Sequence, residues 1–403
     1  MYLLSDLRDA IGWNRFNLRI VGIWPEPAML HERIADLRAF ASVLFIMIFA
    51  TIWQSVDLFM VNNDLSQITS ILSLANIPAY NSAIKLLFVW YYRKDLQPLM
   101  KSFYDDWHAP KTEDERKTMV DSAKLCKNLS IWCTVLTQSM LVAYVGTRSF
   151  AIATCDVNAV QEDHLTIYPA YYPFDMRRTP FRVAANVGQV IAAYCALIPY
   201  TAVDIFIATL VLHTCGQFTN LNKRLAKLMD GRNGIRKSSD IREELASIVK
   251  RHEHLNWVAG RIDGCFSLLL FVQMLLSTVE ICFQGFLFFN VILKSNDGML
   301  NFQMLFFVLF ISFIIVHMYV YCYVGELLRV QSSNMAIAAY DTNWYNVAPP
   351  EAKCLIFIML RSMRPLCLTA GKFGIFSMEM FSTILRTAMG YLSVLVTVSS
   401  FDD

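Results

Sequence analysis

The sequence predicts an all-α protein that crosses a membrane seven times, and three observations lead to that prediction. Of its 403 residues, 56% are hydrophobic and only 17% are charged, whereas about a quarter of a soluble domain is charged. The apolar residues fall into long runs, and Lys and Arg gather in alternate connections between these runs. This balance is typical of multi-pass helical membrane proteins. The net charge of +2 gives no indication of nucleic-acid binding.

Seven apolar stretches approach or exceed the roughly 20 helical residues that cross a bilayer. Charged residues bound both ends of the first six stretches, and only the fifth and the last stretch contain charges well inside. The stretches are residues 39–56, 65–84, 128–147, 183–203, 264–293, 298–325 and 365–398.

The distribution of Lys and Arg predicts how the chain is oriented. Most of these residues lie before the first stretch and in every second connection, and the other connections hold few. Because basic residues are retained on the cytosolic side, we expect a cytosolic N-terminus and an extracellular C-terminus. The predicted division of this single membrane domain, 1–403, is a cytosolic N-terminus (1–38), spans one to four (39–213), a cytosolic loop (214–262), spans five and six (263–325), a second cytosolic loop (326–364) and a last helix with a cytosolic first half (365–398).

The last stretch differs from an ordinary membrane anchor. Lys372, Glu379 and Arg386 are spaced seven residues apart, which places them on one face if the stretch is helical throughout. The uncharged part after Arg386 is about 22 Å long as a helix, short of the ~30 Å hydrocarbon core. Two interpretations fit equally well: the helix lines a hydrated space, or it is buried and its charges pair with neighbours.

No set of side chains predicts catalysis, a metal ion or a cofactor. His252 and His254 flank Glu253 on a predicted helix, but a metal site needs further ligands nearby, so a solvated helix face is the better interpretation. Ionisable groups in or near apolar runs are a functional hypothesis by default, although pairing near helix ends also explains them. These groups are Asp204, His213, Glu280 and His317.

Aromatic and polar residues in the outer halves of spans two, three, four and six indicate a ligand pocket. They form pairs four residues apart, on one face of each helix, and such side chains suit an apolar ligand. Ordinary helix packing needs the same residue types, so both interpretations stay open. The pairs are Asn76 and Tyr80, Met140 and Tyr144, Val190 and Tyr194, and Phe306 and Phe310.

The last stretch also contains a pattern that suits a gate. Val394 and Val398 are four residues apart, with Thr397 beside them. A ring of apolar side chains closes a narrow conduit by dewetting, but any membrane helix contains such pairs. The loop 153–182 is either a lid over a cavity or simply an ordered loop.

The chain contains several short motifs: YPFD (172–175), C-x-x-G-E-x-L (322–328), AY-x-x-x-WY (339–345), LRS (360–362), PLCLTAGKF (365–373), F-x-x-I-L (381–385) and YLSVL (391–395). Together they resemble the motifs of insect odorant receptors. The resemblance covers the whole chain and is most specific from about residue 320 onward.

This resemblance implies a non-selective cation channel of four subunits, in which an odorant-specific subunit assembles with a shared co-receptor in the plasma membrane of a sensory dendrite. It implies that a volatile or pheromone-like molecule binds in the outer pocket and that the cytosolic parts of helices four to seven form an anchor domain. It places the gate at Val394 and Val398, Thr397 in the pore, and the stripe of Lys372, Glu379 and Arg386 in the vestibule wall. The family's co-receptor has glutamine in place of Thr397 and a long fourth-loop insertion that is missing here, so the chain resembles a tuning subunit.

Two alternatives are weighed against this hypothesis. A G-protein-coupled receptor would have an extracellular N-terminus, the reverse of what the charge distribution predicts. A secondary transporter would show internal repeats or matched broken helices, and the sequence shows neither.

Overall fold

The computed structural model describes residues 2–25, 32–60, 65–155, 165–229, 238–294, 300–346 and 349–402. Almost all of these residues are helical, which confirms the predicted all-α class. The helices are α1 (Tyr2–Ile20), α2 (Glu32–Ile46), α3 (Trp53–Met60), α4 (Leu65–Ile71), α5 (Ile77–Tyr91), α6 (Arg93–His108), α7 (Glu113–Thr154), α8 (Thr179–Met229), α9 (Ser238–Lys294), α10 (Leu300–Tyr340), α11 (Pro349–Ser362) and α12 (Met378–Asp402).

Two π-helical segments join short helices into longer ones. Met47–Ile52 joins α2 to α3, and Leu72–Asn76 joins α4 to α5. Pro78 explains the second segment, because proline has no N–H and its ring crowds the carbonyl four residues earlier, which belongs to Leu74. The helical stretch from α4 to α5 packs against α8 and α9.

Among the described residues, six helices are long and apolar enough to cross a membrane, which confirms a multi-pass protein. They are Arg33–Met60, Glu113–Thr154, Thr179–Leu228, Ser239–Leu293, Gln303–Tyr340 and Met378–Ser399. The helical stretch from α4 to α5, which comes second in the chain, packs in the same bundle and adds a seventh long helical stretch to these six. We call the end of the bundle that carries residues 165–178 the upper end, and the end that carries α6 and α11 the lower end.

Helix α8 is the centre of the bundle. It packs against α5, α7, α9 and α10, and nearly every side chain from Tyr200 to Leu212 is buried. A helix that is apolar on all faces belongs inside a core. Helices α2, α5, α7, α9 and α10 pack around α8, and α12 packs outside them, against α9 and α10.

The structure corrects the prediction of a single helix over residues 365–398. Residues 369–375 form a β-hairpin of β1 (Thr369–Ala370) and β2 (Gly374–Ile375), in which Thr369 pairs with Ile375 and Ala370 with Gly374. Gly371 has φ +58°, a conformation that glycine adopts without strain. Helix α12 begins only at Met378, so Lys372 lies in the hairpin turn and does not share a helix face with Glu379 and Arg386.

The hairpin is tied to α9 and α10. The Asp263 carboxylate accepts hydrogen bonds from the Thr369 N–H at 2.7 Å and from its hydroxyl at 2.9 Å. The Gly371 N–H donates to the Ser267 carbonyl at 3.0 Å. On the α10 side, the Phe376 backbone lies so close to Gly325 that an added Cβ would sit 2.5 Å from the Phe376 oxygen.

We expect Gly325→Ala to destabilise the protein by about 1–3 kcal/mol, because a rigid backbone atom occupies the position of the new methyl group. The matched control is Gly260→Ala, whose methyl group would meet nothing within 4 Å. In a helix interior that control adds up to about 1 kcal/mol of stability. Thermal unfolding of the purified protein in lipid nanodiscs measures both, and equal stability of the two variants would contradict the prediction.

Candidate functional site

A cavity of about 380 Å³ opens at the upper end of the bundle. This is in the range of small-molecule sites. Its walls come from α4 and the π-helical segment after it, from α7, α9 and α10, and from the segment that follows residue 165. The lining residues are Ser66, Ser70, Leu74, Tyr144, Thr147, Arg148, Ala151, Pro169, Leu287, Asn290, Val291, Gln303, Phe306 and Phe307.

The segment 165–172 covers the upper end, and hydrogen bonds hold it there. The Arg148 guanidinium donates to the carbonyl oxygens of Thr166 at 2.8 Å and Ile167 at 3.1 Å. The Tyr144 hydroxyl also donates to the Ile167 carbonyl, at 3.0 Å. Gln189 of α8 bonds both backbone groups of Tyr168. The part of loop 153–182 described by the structure is therefore ordered, and residues 156–164 lie outside the described residues.

Two of the eight predicted pocket residues line this cavity. Tyr144 and Phe306 face each other with ring centroids 4.8 Å apart. Met140 and Phe310 lie one helical turn below them, buried in the same apolar cluster, against which Val190 packs. These three residues support the cavity from beneath or behind it, and their role in ligand binding stays a prediction.

The remaining predicted pocket residues lie outside the cavity wall. Asn76 is buried and donates to the Ser55 hydroxyl at 3.3 Å. The Tyr80 hydroxyl also lies 3.3 Å from Ser55. Tyr80 and Tyr194 are each 40% exposed on the bundle surface. The sequence pattern missed the contribution of α9, where Leu287, Asn290 and Val291 complete the wall, because nothing in an apolar run reveals which face is turned inward.

A buried ion pair lies at the middle of the bundle. Lys85 of α5 and Asp204 of α8 are 2.5 Å apart and almost fully buried. The Lys85 ammonium also donates to the Tyr200 carbonyl at 3.2 Å and lies 3.8 Å from the centre of the Tyr200 ring. The Tyr321 hydroxyl of α10 donates to Asp204, and the His317 Nε2 lies 4.0 Å from the other carboxylate oxygen. This cluster joins three helices.

The buried face of α9 is polar over more than two turns. Gln273, Ser277, Glu280 and Gln284 recur at helical spacing and are all at most 1% exposed. Gln273 donates to the hydroxyl groups of Tyr200 at 3.1 Å and Ser277 at 2.9 Å, and it accepts from the Asn81 amide at 2.8 Å. Glu280 and Gln284 make no such contacts among the described residues. The polar face therefore has a bonded lower part and an unpartnered upper part.

Helix α12 packs on the bundle by one narrow face and leaves the rest exposed. Ile384 and Ala388 are buried, and Leu392 lies against Gly285 of α9. The predicted gate residues Val394 and Val398 are 60% and 47% exposed. Thr397, Lys372, Glu379 and Arg386 are exposed as well. In this single chain the predicted gate and vestibule residues lie on the exposed side of the hairpin and α12, and their roles stay predictions.

A cluster around Asp106 joins α6, α8 and α9 at the lower end. Asp106 accepts hydrogen bonds from His213 at 3.0 Å and Arg251 at 2.6 Å. Burial by itself raises the pKa of Asp106, but the hydrogen bond from His213 and the charges of His213 and Arg251 outweigh it, so the pKa lies below its ordinary value of 3.8. Asp106 is therefore ionised at neutral pH, and its bonds hold the lower ends of these helices together.

The two histidines predicted to lie on a solvated face are more buried than expected. His252 is 5% exposed and packs edge-on against Phe218. His254 lies 2.8 Å from the Ser102 hydroxyl. In the part of the chain that the structure describes, no three His, Cys, Asp or Glu side chains converge as metal ligands. These histidines contribute to packing between helices at the lower end.

Comparison with known proteins identifies one family. Residues 68–389 match the family described as 7tm Odorant receptor. The chain is 28% identical over 237 residues to odorant receptor 9a of Drosophila melanogaster, a match that covers 58% of this chain and 57% of that protein. It is 29% identical over 248 residues to odorant receptor 13a of the same species, covering 59% and 58%. These matched regions thus span little more than half the length of each relative.

A longer match and a solved structure extend this similarity. The chain is 23% identical over 319 residues to Drosophila odorant receptor 94a, covering 79% of this chain and 78% of that protein. The structure of the olfactory receptor OR5 from Machilis hrabei in complex with eugenol has the same fold, with a TM-score of 0.81 at 15% identity. That alignment covers 97% of this chain and 98% of the other.

We expect Lys85→Met and Asp204→Leu each to destabilise the protein by about 3–5 kcal/mol, because each leaves a buried charge without its partner. The double variant should lose less than the sum of the two, since it removes both charges. Lys94→Met, at an exposed lysine of α6, is the control and should have little effect. Thermal unfolding measures all four proteins, and additive losses in the double variant would rule out coupling of the pair.

Proposed function

The chain belongs to the 7tm odorant receptor family, and from this premise we propose that it is the odorant-binding subunit of a ligand-gated, non-selective cation channel. Family membership confirms the resemblance seen in the sequence. It also identifies the chain as a multi-pass membrane receptor and not an enzyme. The channel, its co-receptor partner and its place in the plasma membrane of a sensory dendrite belong to the proposal.

The exposure of α12 is the observation that carries the channel proposal. Only 11% of the most apolar 18-residue segment of α12 is buried, whereas 83% of the corresponding segment of α8 is buried. A helix with this little contact stabilises a single chain weakly, but its exposure suits a helix that faces the last helices of neighbouring subunits and a conduit between them. In this arrangement Val394 and Val398 form the apolar gate, and Thr397 contributes a polar group to the pore.

The proposed orientation places the lower end in the cytosol. The described parts of the basic connections 93–124, 214–262 and 326–364 belong to that end, which agrees with the retention of basic residues in the cytosol. The lower parts of α8, α9 and α10, with α11, then form the cytosolic anchor. The hairpin turn with Lys372 and the first turns of α12 with Glu379 and Arg386 form the vestibule wall. The cavity opens toward the extracellular side, where volatile ligands arrive.

Helix α9 links the cavity to α12 directly. Leu287 lines the cavity, and Gly285, two residues earlier, is so close to Leu392 that a Cβ would lie 2.9 Å from it. Ala388 of α12 also belongs to the apolar cluster that surrounds Tyr144 and Phe306. A ligand that binds more tightly when α9 and α12 adopt the open arrangement shifts the population toward that arrangement. The Val394 and Val398 ring then widens, hydrates and passes cations.

A polar substitution at the gate tests the role of α12. With the chain and the odorant co-receptor expressed together, we expect Val394→Asn to raise the current in the absence of odorant several-fold, because a polar ring stays hydrated when narrow. Val394→Ile is the control, since it keeps the ring apolar. If the Val394→Asn channel reaches the cell surface normally and shows the leak current and ion preference of the wild type, Val394 does not belong to the gate.

Filling the cavity tests the ligand site. We expect Val291→Phe to raise the half-maximal concentration of the most effective compound of a broad odorant panel about tenfold or more, because the ring occupies cavity space. Val279→Phe places the same ring on an exposed position of the same helix and should leave the response unchanged. Equal responses from the two variants would place the ligand elsewhere. No odorant current from any panel compound, with surface expression demonstrated, would count against the proposed function itself.

A further inference from the structure

The wall of the cavity changes from polar at its mouth to apolar at its inner end. Helices α4 and α10 start at the upper end of the bundle and run inward. Ser70 of α4 therefore lies about one turn above Leu74, and all the residues compared here line the cavity. On α10, Gln303 lies about one turn above Phe306 and Phe307. On both helices the polar residue is the outer one.

Helices α7 and α9 run in the opposite direction and show the same order. Both end at the upper end of the bundle. Thr147 and Arg148 of α7 therefore lie about one turn above Tyr144, and Asn290 of α9 lies about one turn above Leu287. The four helical walls thus agree, although the chain enters two of them from the mouth and two from the inner end.

Ring contacts show that these turns lie at matching heights. Tyr144 of α7 meets Phe306 of α10 with ring centroids 4.8 Å apart, and Phe288 of α9 meets Phe307 with centroids 6.5 Å apart. Because α10 runs antiparallel to α7 and α9, the polar residues one turn farther out also lie at about one height. We call the outer polar residues the polar collar: Ser66, Ser70, Thr147, Arg148, Asn290 and Gln303. We call the inner residues the apolar base: Leu74, Tyr144, Leu287, Phe306 and Phe307. The rest of the outer wall is apolar and consists of Ala151, Pro169 and Val291.

The apolar base is largely shielded from water, and the polar collar is half-buried or exposed. Tyr144, Leu287, Phe306 and Phe307 are each at most 8% exposed. The Tyr144 hydroxyl is the polar side-chain group of the base, and it already donates to the Ile167 carbonyl. A polar group of a ligand would lose its hydrogen bonds to water in the base without replacement. A hydrocarbon chain, by contrast, gains about fourfold in affinity for each methylene that it buries there.

Two amides of the polar collar are available to a ligand. The Thr147 hydroxyl donates to the Ala143 carbonyl of its own helix at 2.6 Å, and Arg148 donates to the segment that covers the upper end. Asn290 and Gln303 also line the cavity, and neither side chain makes a hydrogen bond to a described residue. An amide both donates and accepts, so these two side chains suit a hydroxyl, carbonyl or carboxyl group.

We propose that the cavity binds a small molecule with a single hydrogen-bonding group at one end of its hydrocarbon part, and that this end points toward the mouth. The polar group bonds the amides of Asn290 and Gln303, and the hydrocarbon part fills the apolar base. From Ser66 to Leu74 the wall is roughly 12 Å long, which an unbranched chain of about eight carbons fills. This inference rests on the proposed odorant-binding function and adds the class of the ligand and its orientation.

The test uses straight-chain octanols that carry the hydroxyl group on the first, second, third or fourth carbon, on cells that express the chain with the odorant co-receptor. These isomers share one polar group and one hydrocarbon content and differ only in its position. In the wild type, the terminal isomer should act at about tenfold lower concentration than the isomer substituted at the fourth carbon, because only the terminal isomer fills the base while its hydroxyl stays in the collar. Asn290→Leu, which keeps the side-chain size but removes the amide, should reduce this preference to less than about threefold.

Asn128→Leu is the matched control. It makes the same change at an exposed position of α7 outside the cavity, and it should keep the full preference for the terminal isomer. Loss of the preference in Asn128→Leu to the same extent as in Asn290→Leu would show a general effect on the channel and overturn the assignment.

The outcomes separate the orientation of the ligand from the function of the channel. Octanol currents with equal potency of all isomers, or with the greatest potency for a central isomer, would overturn the proposed orientation and leave the channel proposal standing. The same holds if other compounds of a broad odorant panel open the channel and no octanol does. Silence toward the whole panel, with surface expression demonstrated, would instead count against the proposed function.

A second variant keeps the test decisive if Asn290→Leu fails to reach the cell surface. Gln303 is exposed in the first turns of α10, so Gln303→Leu removes the other amide without disturbing the buried base. It should reduce the preference for the terminal isomer about threefold. An unchanged preference in Gln303→Leu, or in an Asn290→Leu channel that reaches the surface, would overturn the role of the polar collar.

Discussion

The ion pair between Lys85 and Asp204 is the contact on which the arrangement of the central helices depends. Apolar packing around α8 is not directional, because nearly all faces of that helix are alike. A buried charge, by contrast, is tolerated only where its partner and further hydrogen-bonding groups are in reach. The carboxylate of Asp204 meets Lys85 from α5 and Tyr321 from α10. These contacts select one register of three helices from the many that apolar packing alone would permit.

The same cluster explains how polarity is distributed along α9. Gln273 is satisfied by Asn81 and Tyr200, close to the ion pair. About two and three turns higher, Glu280 and Gln284 are equally buried but have no such partners among the described residues. The helix thus passes from a structural polar contact to an unpartnered one, and then to the apolar wall of the cavity. The first of these contacts contributes to stability, because it satisfies buried polar groups.

Helix α12 is held firmly at its start but contacts the rest of the bundle sparsely along its length. The hairpin before it is fixed to α9 through Asp263 and packs closely on Gly325 of α10. Beyond the hairpin, only a narrow face meets the bundle, and Gly285 allows Leu392 to approach α9 closely. A helix held at one end and lightly packed elsewhere can tilt about its attachment at little cost. This mechanical arrangement fits the proposed gate at Val394 and Val398.

The sequence by itself determined the helical class, the number of apolar stretches and, through its C-terminal motifs, the family, because hydrophobic run length and local motifs are properties of the chain. Tyr144 and Phe306 were identified as pocket residues by spacing, and the structure places both in the cavity wall. Only the tertiary structure decided the rest, since run length does not reveal how a helix is rotated about its axis. In the structure Tyr194 faces outward, Leu287 and Val291 lie in the cavity wall, and Lys85 forms an ion pair with Asp204. The structure also has a hairpin where the sequence predicted the start of the last helix. Hydrogen bonds from the hairpin backbone to Asp263 and Ser267 stabilise it there, and the regular spacing of Lys372, Glu379 and Arg386 does not reveal these contacts.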